Sequence, residues 1–540
     1  MLGLMMDRPL RIIDILAYGA DTFGNAEIVS ANADGTPDRI RYDAVFGRVA
    51  RLAHGLKAMG IGEGDRVATL AFNSARHFEL YYAISGIGAV CHTINPRLAP
   101  DEIAYIVSHA EDRAVFADPA LVPLARDILE KASSQAPIVA LCAAADCPGE
   151  AEAFEDLLTG RPDAFDWPLL PENTAAGLCY TSGTTGRPKG ALYTHRSTVL
   201  HALSVSNAMR DALREGRKVL PAVPLFHVNA WGLPYAAPLT GASLVMPGAA
   251  LDGASLFRLM DREGVYSAWG VPTIWLGLLA EIERQGRIPA RLGDITVGGS
   301  AAPPAMTARF EALGVNVCHA WGMTEMSPVG TQSNQRPPRT DAEREAQLVR
   351  KAKQGRRLFG VELKIVDEAG NRLPHDGTAV GALYTRGNAV VRDYYRAEPG
   401  TCQLDAEGWF PTGDLASIDP EGFLAISDRT KDMIKSGGEW ISSIDLENAA
   451  MSHPAIKVCA VVAVPHPRWD ERPLLIVVPV ADEPSASDIL DWLAPHFARW
   501  QLPDDVVFVE ALPLTATGKV SKRTLRQQFA GHVLPGVETV

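Results

Sequence analysis

Between residues 42 and 60 the apolar positions Val45, Val49, Leu52, Leu56 and Met59 recur every three or four residues, the spacing of one face of an amphipathic helix. The run DRVATLAF (65–72) that follows is short and continuously apolar, as in a strand covered on both faces. HFELYYAISGIGAV (77–90) reads as helix and RAVFAD (113–118) as strand. The alternation returns further on. SLVMPG (243–248), YSAWGV (266–271), DITVGGS (294–300) and VNVCHAWGMTE (315–325) are strand-like, and between them ASLFRLMDREG (254–264), PTIWLGLLAEIERQG (272–286) and PAMTARFEALG (304–314) carry helical spacing. Such alternation predicts doubly wound α/β layers, and its recurrence predicts two α/β lobes.

The texture then changes. A charged stretch (339–357) predicts a solvated helix or loop. From 361 short alternating runs separated by Gly, Asp and Asn (VELKIVDEAGNRL, GALYTRG, GWFPTGDLASIDPEGFLAIS) predict hairpins of a small β-barrel-like part. After 428 come the strand-like KVCAVVAVPHP and RPLLIVVPV and a helical SASDILDWLAPHFARW (485–500), the make-up of a small α+β domain. The expected division is therefore a large domain, 1–428, and a small one, 429–540.

Composition narrows the class. With 540 residues the chain has ample length for several domains, and a formal net charge of −13 leaves no general basic face for gripping nucleic acid. Seven cysteines, odd in number, scattered and without a C-x-x-C pair, fit reduced thiols in a cytoplasm. The six-residue apolar start before Asp7 is too short for a signal-peptide core. Residues 219–251 lack Asp, Glu, Lys and Arg, yet Pro221, Pro224, Pro234, Pro238 and Pro247 would repeatedly break a lipid-exposed helix. Buried strands and loops lining a pocket are expected there instead.

The sharpest chemical signal is YTSGTTGRPKG (180–190), with three glycines, four hydroxyls and one lysine. Glycine lets backbone N–H groups approach an anion, the hydroxyls of Thr181, Ser182, Thr184 and Thr185 donate, and Lys189 adds charge. Its flanks, GLCYT and GALYTH, are strand-like, so the loop joins two strands. A Walker loop opens a helix and needs Ser or Thr after its lysine, where this chain has Gly190. Phosphate binding survives; a kinase or GTPase loop does not.

With its flanks this loop resembles the phosphate-binding signature of the adenylate-forming superfamily, which holds acyl-CoA synthetases, luciferases and peptide-synthetase adenylation domains. The resemblance continues in order through VPLFHVNAW (223–231), VGGSAAP (297–303), WGMTE (321–325), GWFPTGDLA (408–416), DRTKDMIKSGGEWIS (428–442) and PLTATGKVSK (513–522). It implies ATP, Mg²⁺ and CoA as cofactors or co-substrates. By it, Thr181, Ser182, Gly183, Thr184, Thr185, Gly186 and Lys189 cradle phosphate, and Glu325 with Thr181 holds the metal. Thr324 touches the α-phosphate. Gly299, Ser300, Ala301, His319, Ala320, Trp321 and Gly322 form the adenine slot, where Trp321 replaces the usual tyrosine and keeps a π face without the phenol. Asp414 and Arg429 take the ribose, and Lys431, Lys435 and Trp440 support the nucleotide. Lys519 is the adenylation lysine, Lys431 the hinge about which the small domain rotates, and Ser436, Gly437 and Gly438 face the CoA tunnel.

The acid is least legible. His227 matches a histidine beside the acyl carboxylate, Trp231 matches a tryptophan that closes an acyl tunnel in fatty acyl-CoA synthetases, and Gly322 borders the substrate. The resemblance implies a bacterial-type ligase for a medium- or long-chain fatty acid, acting as a homodimer. The same subgroup includes ligases for 3-methylmercaptopropionate, and short or aryl acids stay open. A luciferase-like oxygenase shares the nucleotide motifs, a nucleotide sensor would tolerate loss of Lys519 or Glu325, and a peptide-synthetase module would need a carrier domain after residue 540.

Overall fold

A computed structural model gives the fold and describes residues 1, 3–32, 36–149, 151–181, 187–334, 340–398, 400–481 and 483–535. The periodic segment at 42 forms the helix Tyr42–Ala58, which buries Val45, Val49, Leu52 and Leu56; Met59 caps its end. The strand expected beside it is Arg66–Leu70. The following helix, Ala75–Gly86, starts where the Ser74 side chain accepts from the His77 amide, and Val90 already belongs to the strand Val90–Thr93.

The first lobe is a seven-stranded sheet, with Arg66–Leu70 paired in parallel to Val90–Thr93 and Val115–Ala117. Its edge pair, Ala175–Thr181 with Lys189–Thr194, runs antiparallel and sets Thr181 opposite Lys189. The phosphate loop thus joins two strands, as its flanks indicate. Ser182, Gly183, Thr184, Thr185 and Gly186 lie outside the described residues.

The second lobe is a thirteen-stranded sheet. Its parallel part includes Lys218–Pro221, Ser267–Gly270, Asp294–Val297 and Asn316–Gly322. Its antiparallel arm holds the hairpin-rich strands Val361–Val366, Gly381–Gly387, Phe410–Ile418 and Phe423–Arg429, so the β-rich stretch extends the open sheet through Gly355–Arg357 without closing into a barrel. One apolar core lies between the lobes. It joins Val67 and Phe116 of the first sheet, Leu244 and Trp269 of the second, and Leu16, Val49, Phe78 and Ala202 of helices between them.

The uncharged run 219–251 is buried as expected, with strands at its ends, and it also forms a short helix, Leu233–Thr240. Pro234 sits in the first turn, where its missing N–H is not needed. Among the described residues no helix is long and apolar enough to cross a membrane. The charged stretch contributes the helix Asp341–Ala352, capped by Thr340. It is less solvated than its composition suggests: Lys351 is buried and paired with Glu311.

The small domain has a five-stranded sheet built around Ile456–His466 and Asp470–Pro479, with helices Ser443–Ala450 and Ala486–Leu493 packed on it. The helix expected over 485–500 ends at Leu493 because Pro495 cannot continue it; a separate 3₁₀ turn follows at Arg499–Gln501.

Candidate active site

The large domain brings its motif residues to the carboxyl ends of the two sheets, the place where open α/β sheets leave a crevice. Thr181 and Lys189 end the first sheet's last pair, and the Lys189 ammonium lies 5.1 Å from the centre of the Tyr394 ring. The Tyr394 hydroxyl donates to Glu325 Oε1 at 2.7 Å, and the Val391 amide donates to the Glu325 carbonyl at 2.8 Å. From the other side the Tyr193 hydroxyl donates to the Thr324 carbonyl at 2.6 Å. Thr324 and Glu325 are both buried and sit in one 3₁₀ turn. Tyr193 and Tyr394 escaped the sequence reading. The only signal for Tyr394 is the doublet Tyr394–Tyr395 in a loop after the hairpin strands.

The second wall, the glycine strand, is the end of the strand Asp294–Val297 together with the glycine-bearing segment 298–301 that continues it. Gly299 has φ +82°, a region that admits glycine readily. Gly298 is closed off: a methyl group there would sit 2.9 Å from the Trp231 ring and 3.0 Å from the Ala320 carbonyl oxygen. A methyl on Gly322 would overlap the Pro328 carbonyl oxygen. His319 is fully buried and its Nδ1 has no partner among the described residues; burial pulls its pKa down to about 4, so the ring is neutral at pH 7. Gly299, Ser300 and Ala301 lead away from the strand Asp294–Val297, which pairs with the strand carrying His319, Ala320, Trp321 and Gly322.

Trp321 does more than offer a face. Its indole N–H donates to Asp414 Oδ2 at 2.9 Å, while Arg429 Nε lies 3.4 Å from Oδ1. Asp414 and Arg429 are cross-strand partners, which fixes this triad by register. Asp414 is 5% exposed. Burial raises its carboxyl pKa, and the Arg429 charge and the indole N–H oppose that rise.

The small domain reaches in through the loop 515–519. The Gly518 carbonyl accepts from Thr273 Oγ1 at 3.0 Å in the second lobe, and the Ala516 carbonyl accepts from Asn95 Nδ2 at 3.3 Å in the first. Lys519 lies along the glycine strand: a methyl group on Gly299 would be 3.0 Å from its Cε and 3.5 Å from its Nζ. Burial lowers the Lys519 pKa to about 8, helped by the Arg429 charge and opposed by Asp414. His227 is pulled down to about 3, by burial and then by the Lys519 charge, so it stays neutral beside a cation.

Trp231 is buried at the end of a left-handed turn, Val228–Gly232, in which Asn229, Ala230 and Trp231 have φ of 54°, 45° and 59°. Asn73 pins the approach to this turn: its amide donates to the carbonyls of Pro221 and Val223, and its oxygen accepts from the Leu225 amide.

The hinge-block residues are arranged differently. Lys431, Lys435 and Trp440 are exposed, and no hydrogen bond joins them to Trp321, Glu325 or Asp414 among the described residues. Lys435 and Trp440 face each other across a hairpin turned by Gly437 and Gly438, whose φ values are 61° and 93°. Ser436 does not open outward with them. It is buried, and its hydroxyl accepts from Arg472 at 2.9 Å.

The family described as AMP-binding enzyme matches residues 17–395, and the AMP-binding enzyme C-terminal domain matches 445–519. The chain is 47% identical to the 3-methylmercaptopropionyl-CoA ligase of Ruegeria lacuscaerulensis, covering 98% of this chain and 99% of that one. It is 46% identical to the medium-chain-fatty-acid–CoA ligase of Ectopseudomonas oleovorans over the full length of both. Identity to the long-chain-fatty-acid–CoA ligase of Thermus thermophilus is 47%, covering 98% and 97%. Among solved structures, the anthranilate CoA ligase AuaEII in complex with anthranoyl-AMP superposes with a TM-score of 0.86 at 25% identity, covering 97% of this chain and 98% of that one.

Proposed function

The chain belongs to the AMP-binding enzyme family and is an AMP-forming acyl-CoA ligase, and from that premise we propose that its acid is a medium- or long-chain fatty acid and that the residues gathered above divide the work as follows. The observation that carries the assignment of roles is Lys519, delivered by the small domain onto the glycine strand beside Asp414 and His227.

In the first half reaction an acid carboxylate oxygen bonds to the α-phosphorus of ATP and the bond to pyrophosphate breaks. Two anions must meet, so cationic help at the point of attack is decisive. Lys519 bridges the carboxylate and the α-phosphate; at 4 Å and an effective dielectric near 20 each such contact is worth about 4 kcal/mol. Expressed fully in the transition state, that is about three decades of rate. Thr324 holds the α-phosphate, and Thr181, Lys189 and the loop 182–186 hold the leaving phosphates. Adenine lies between Trp321 and Gly299–Ala301, with His319, Ala320 and Gly322 at its edge. Asp414 and Arg429 hold the ribose.

Mg²⁺ needs one or two carboxylates together with phosphate oxygens. Glu325 fits, because the Tyr394 hydroxyl engages Oε1 and fixes the carboxylate in a buried turn. Glu325 with Thr181 would hold the ion, which neutralises phosphate charge when bound. His227, neutral at physiological pH, accepts or donates a hydrogen bond at the acyl carboxylate without competing with Lys519 for negative charge. Trp231 closes the acyl tunnel.

In the second half reaction the CoA thiol gives up its proton to solvent, its sulfur bonds to the acyl carbon, and the bond from that carbon to the phosphate oxygen breaks as AMP leaves. Lys519 must vacate. We place the domain boundary at 428/429 and the hinge at Lys431, and rotation there carries the hairpin of Ser436, Gly437 and Gly438 to the pantetheine channel while Lys435 and Trp440 support the nucleotide. The seven free cysteines, five of them buried, agree with a cytoplasmic setting, and a homodimer is the expected assembly, checked by light scattering.

The deciding experiment is CoA-dependent AMP release across acids from propionate to octadecanoate, with aryl and thioether acids included. Highest kcat/KM on a chain of eight carbons or longer supports the fatty-acid reading. A maximum on 3-methylmercaptopropionate would overturn it in favour of the second reading, which the 47% relative from Ruegeria recommends.

A further inference from the structure

The two domains are joined by more than their linker. Asp428 is next to last in the strand Phe423–Arg429 of the large sheet, opposite Leu415, and is 1% exposed. Its Oδ2 accepts from both the amide and the hydroxyl of Ser443, at 2.7 and 2.6 Å, and its Oδ1 accepts from the Arg429 amide at 2.7 Å. Ser443 opens the helix Ser443–Ala450, whose Leu446 and Ala450 belong to the small-domain core with Ile434 and Val461. A second bond crosses beside it, from the Ser442 hydroxyl to the Ser427 carbonyl at 2.9 Å. The charged groups around this junction are Lys522, which donates to Ser443 Oγ at 2.6 Å and pairs with Glu447 at 2.8 Å, then Glu447 itself, Asp445 and Arg429.

Lys431 lies between Asp428 and Ser443 in the chain and is exposed. Rotation about it leaves Asp428 with the large domain and takes Ser443 and Lys522 away with the small one. Hydrogen bonds to an ionised carboxylate are roughly twice as strong as neutral ones, and a buried carboxylate stripped of the two Ser443 donors, with only the Arg429 amide left, is strongly disfavoured until water reaches it. We infer that Asp428 is a positioning residue that latches the small domain, through Ser443, in the orientation that presents Lys519, and that its release is part of the passage to the CoA step. The inference rests on the reading of Lys519 and of the hinge given above. Asp428, Ser443 and Lys522 are distinct from the residues to which the resemblance gives roles in this part of the chain, Arg429, Lys431, Lys435, Ser436, Gly437, Gly438 and Trp440.

The test separates the half reactions. Acyl-AMP formation is followed as pyrophosphate release without CoA, and the CoA step as acyl-CoA production from supplied acyl-AMP, in wild type, Asp428→Ala, Ser443→Ala and Lys519→Ala, with a thermal melt of each. Asp428→Ala is expected to slow acyl-AMP formation about tenfold or more, as loss of charge-assisted bonds holding one of two states should, and to keep or raise the CoA-step rate. Ser443→Ala, which removes one of the two donors and leaves the buried carboxylate in place, is expected to move the same ratio by a smaller factor. It decides the matter should Asp428→Ala fail to fold. Equal loss in both half reactions, or no change in their ratio, overturns the latch while Lys519→Ala still loses acyl-AMP formation. If Lys519→Ala keeps that half reaction, the functional reading falls and takes the latch with it.

Discussion

Replacing Trp321 by phenylalanine removes a hydrogen bond at the nucleotide site while keeping an aromatic ring there. An aromatic face, smaller than the indole, is kept for adenine, and the indole N–H that donates to Asp414 Oδ2 at 2.9 Å is removed. The acceptor is a carboxylate 5% exposed, with Arg429 Nε at 3.4 Å and the Lys519 charge acting on it from nearby. A hydrogen bond to an ionised group contributes about 1.5–3 kcal/mol, and a buried acceptor left short of a partner bears the loss in full. The bond also aims Asp414, proposed as the ribose ligand. Since it is present before ATP binds, only that positioning part enters the affinity, which should fall several-fold and at most about a hundredfold, at about 1.4 kcal/mol per decade.

The same substitution has a pH signature. Burial already raises the Asp414 carboxyl pKa, and the indole N–H is one of the influences holding it down. Without the indole the pKa rises further, so the ionised form needed to accept from ribose hydroxyls is lost at a higher pH on acidification. Calorimetric titration with a non-hydrolysable ATP analogue, repeated across pH, measures both effects, and the KM for the acid serves as control. ATP affinity within about twofold of wild type, or an acid limb that does not move, refutes the reasoning.

Lys519→Ala should lower acyl-AMP formation by about three decades, the figure worked above from Coulomb's law, and largely spare CoA transfer from supplied acyl-AMP. In free enzyme, kcat/KM for acyl-AMP formation should fall as pH rises through about 8, because a lysine lowered to about 8 loses its charge there; Lys519→Arg should move that limb to higher pH. Tyr394→Phe removes the O–H that holds Glu325 Oε1 and should raise the Mg²⁺ concentration for half-maximal activity several-fold, with acid preference unchanged; an unaltered Mg²⁺ curve counts against the Glu325 assignment. Trp231→Ala should change chain-length dependence more than ATP affinity, and an unchanged substrate profile removes the gate.

What could be read in advance follows from the range of the forces involved. The helix Tyr42–Ala58 and the strand Arg66–Leu70 are legible because burial of every third or fourth side chain, or of a whole short run, is written locally. The position of the phosphate loop between two strands is legible for the same reason. The apolar spacing over 485–500 runs on past Pro495, but the helix stops at Leu493 because a ring without an N–H cannot continue it. Contacts between distant segments left little trace. Tyr193 to Thr324, Tyr394 to Glu325 and Trp321 to Asp414 each join residues far apart in the chain, and nothing in the sequence around either partner specifies the pairing. The resemblance points equally to Trp321, Glu325, Asp414 and Lys519, which the fold brings to one crevice, and to Lys431, Lys435 and Trp440, which stay exposed and unjoined to them; the tyrosines that hold Thr324 and Glu325 in place become visible only through geometry.

The acid pocket lies beyond local reading for a further reason. Left-handed backbone costs about 1–2 kcal/mol per non-glycine residue, and Val228, Asn229, Ala230 and Trp231 adopt it in succession. Asn229 alone is of a type that enters this region readily, so nothing in the local sequence specifies the turn. It is imposed from outside. Asn73 fixes the backbone leading into it, the Ala230 amide donates to the carbonyls of Pro224 and His227, and the Trp231 ring closes on Gly298, where a methyl group would not fit. Gly298 precedes Gly299, against which Lys519 lies. The residue proposed to bound the acyl chain and the residue proposed to activate its carboxylate therefore rest on adjacent positions of one glycine strand. A shift of that strand would be felt by both, which gives acid recognition and adenylation a common physical support.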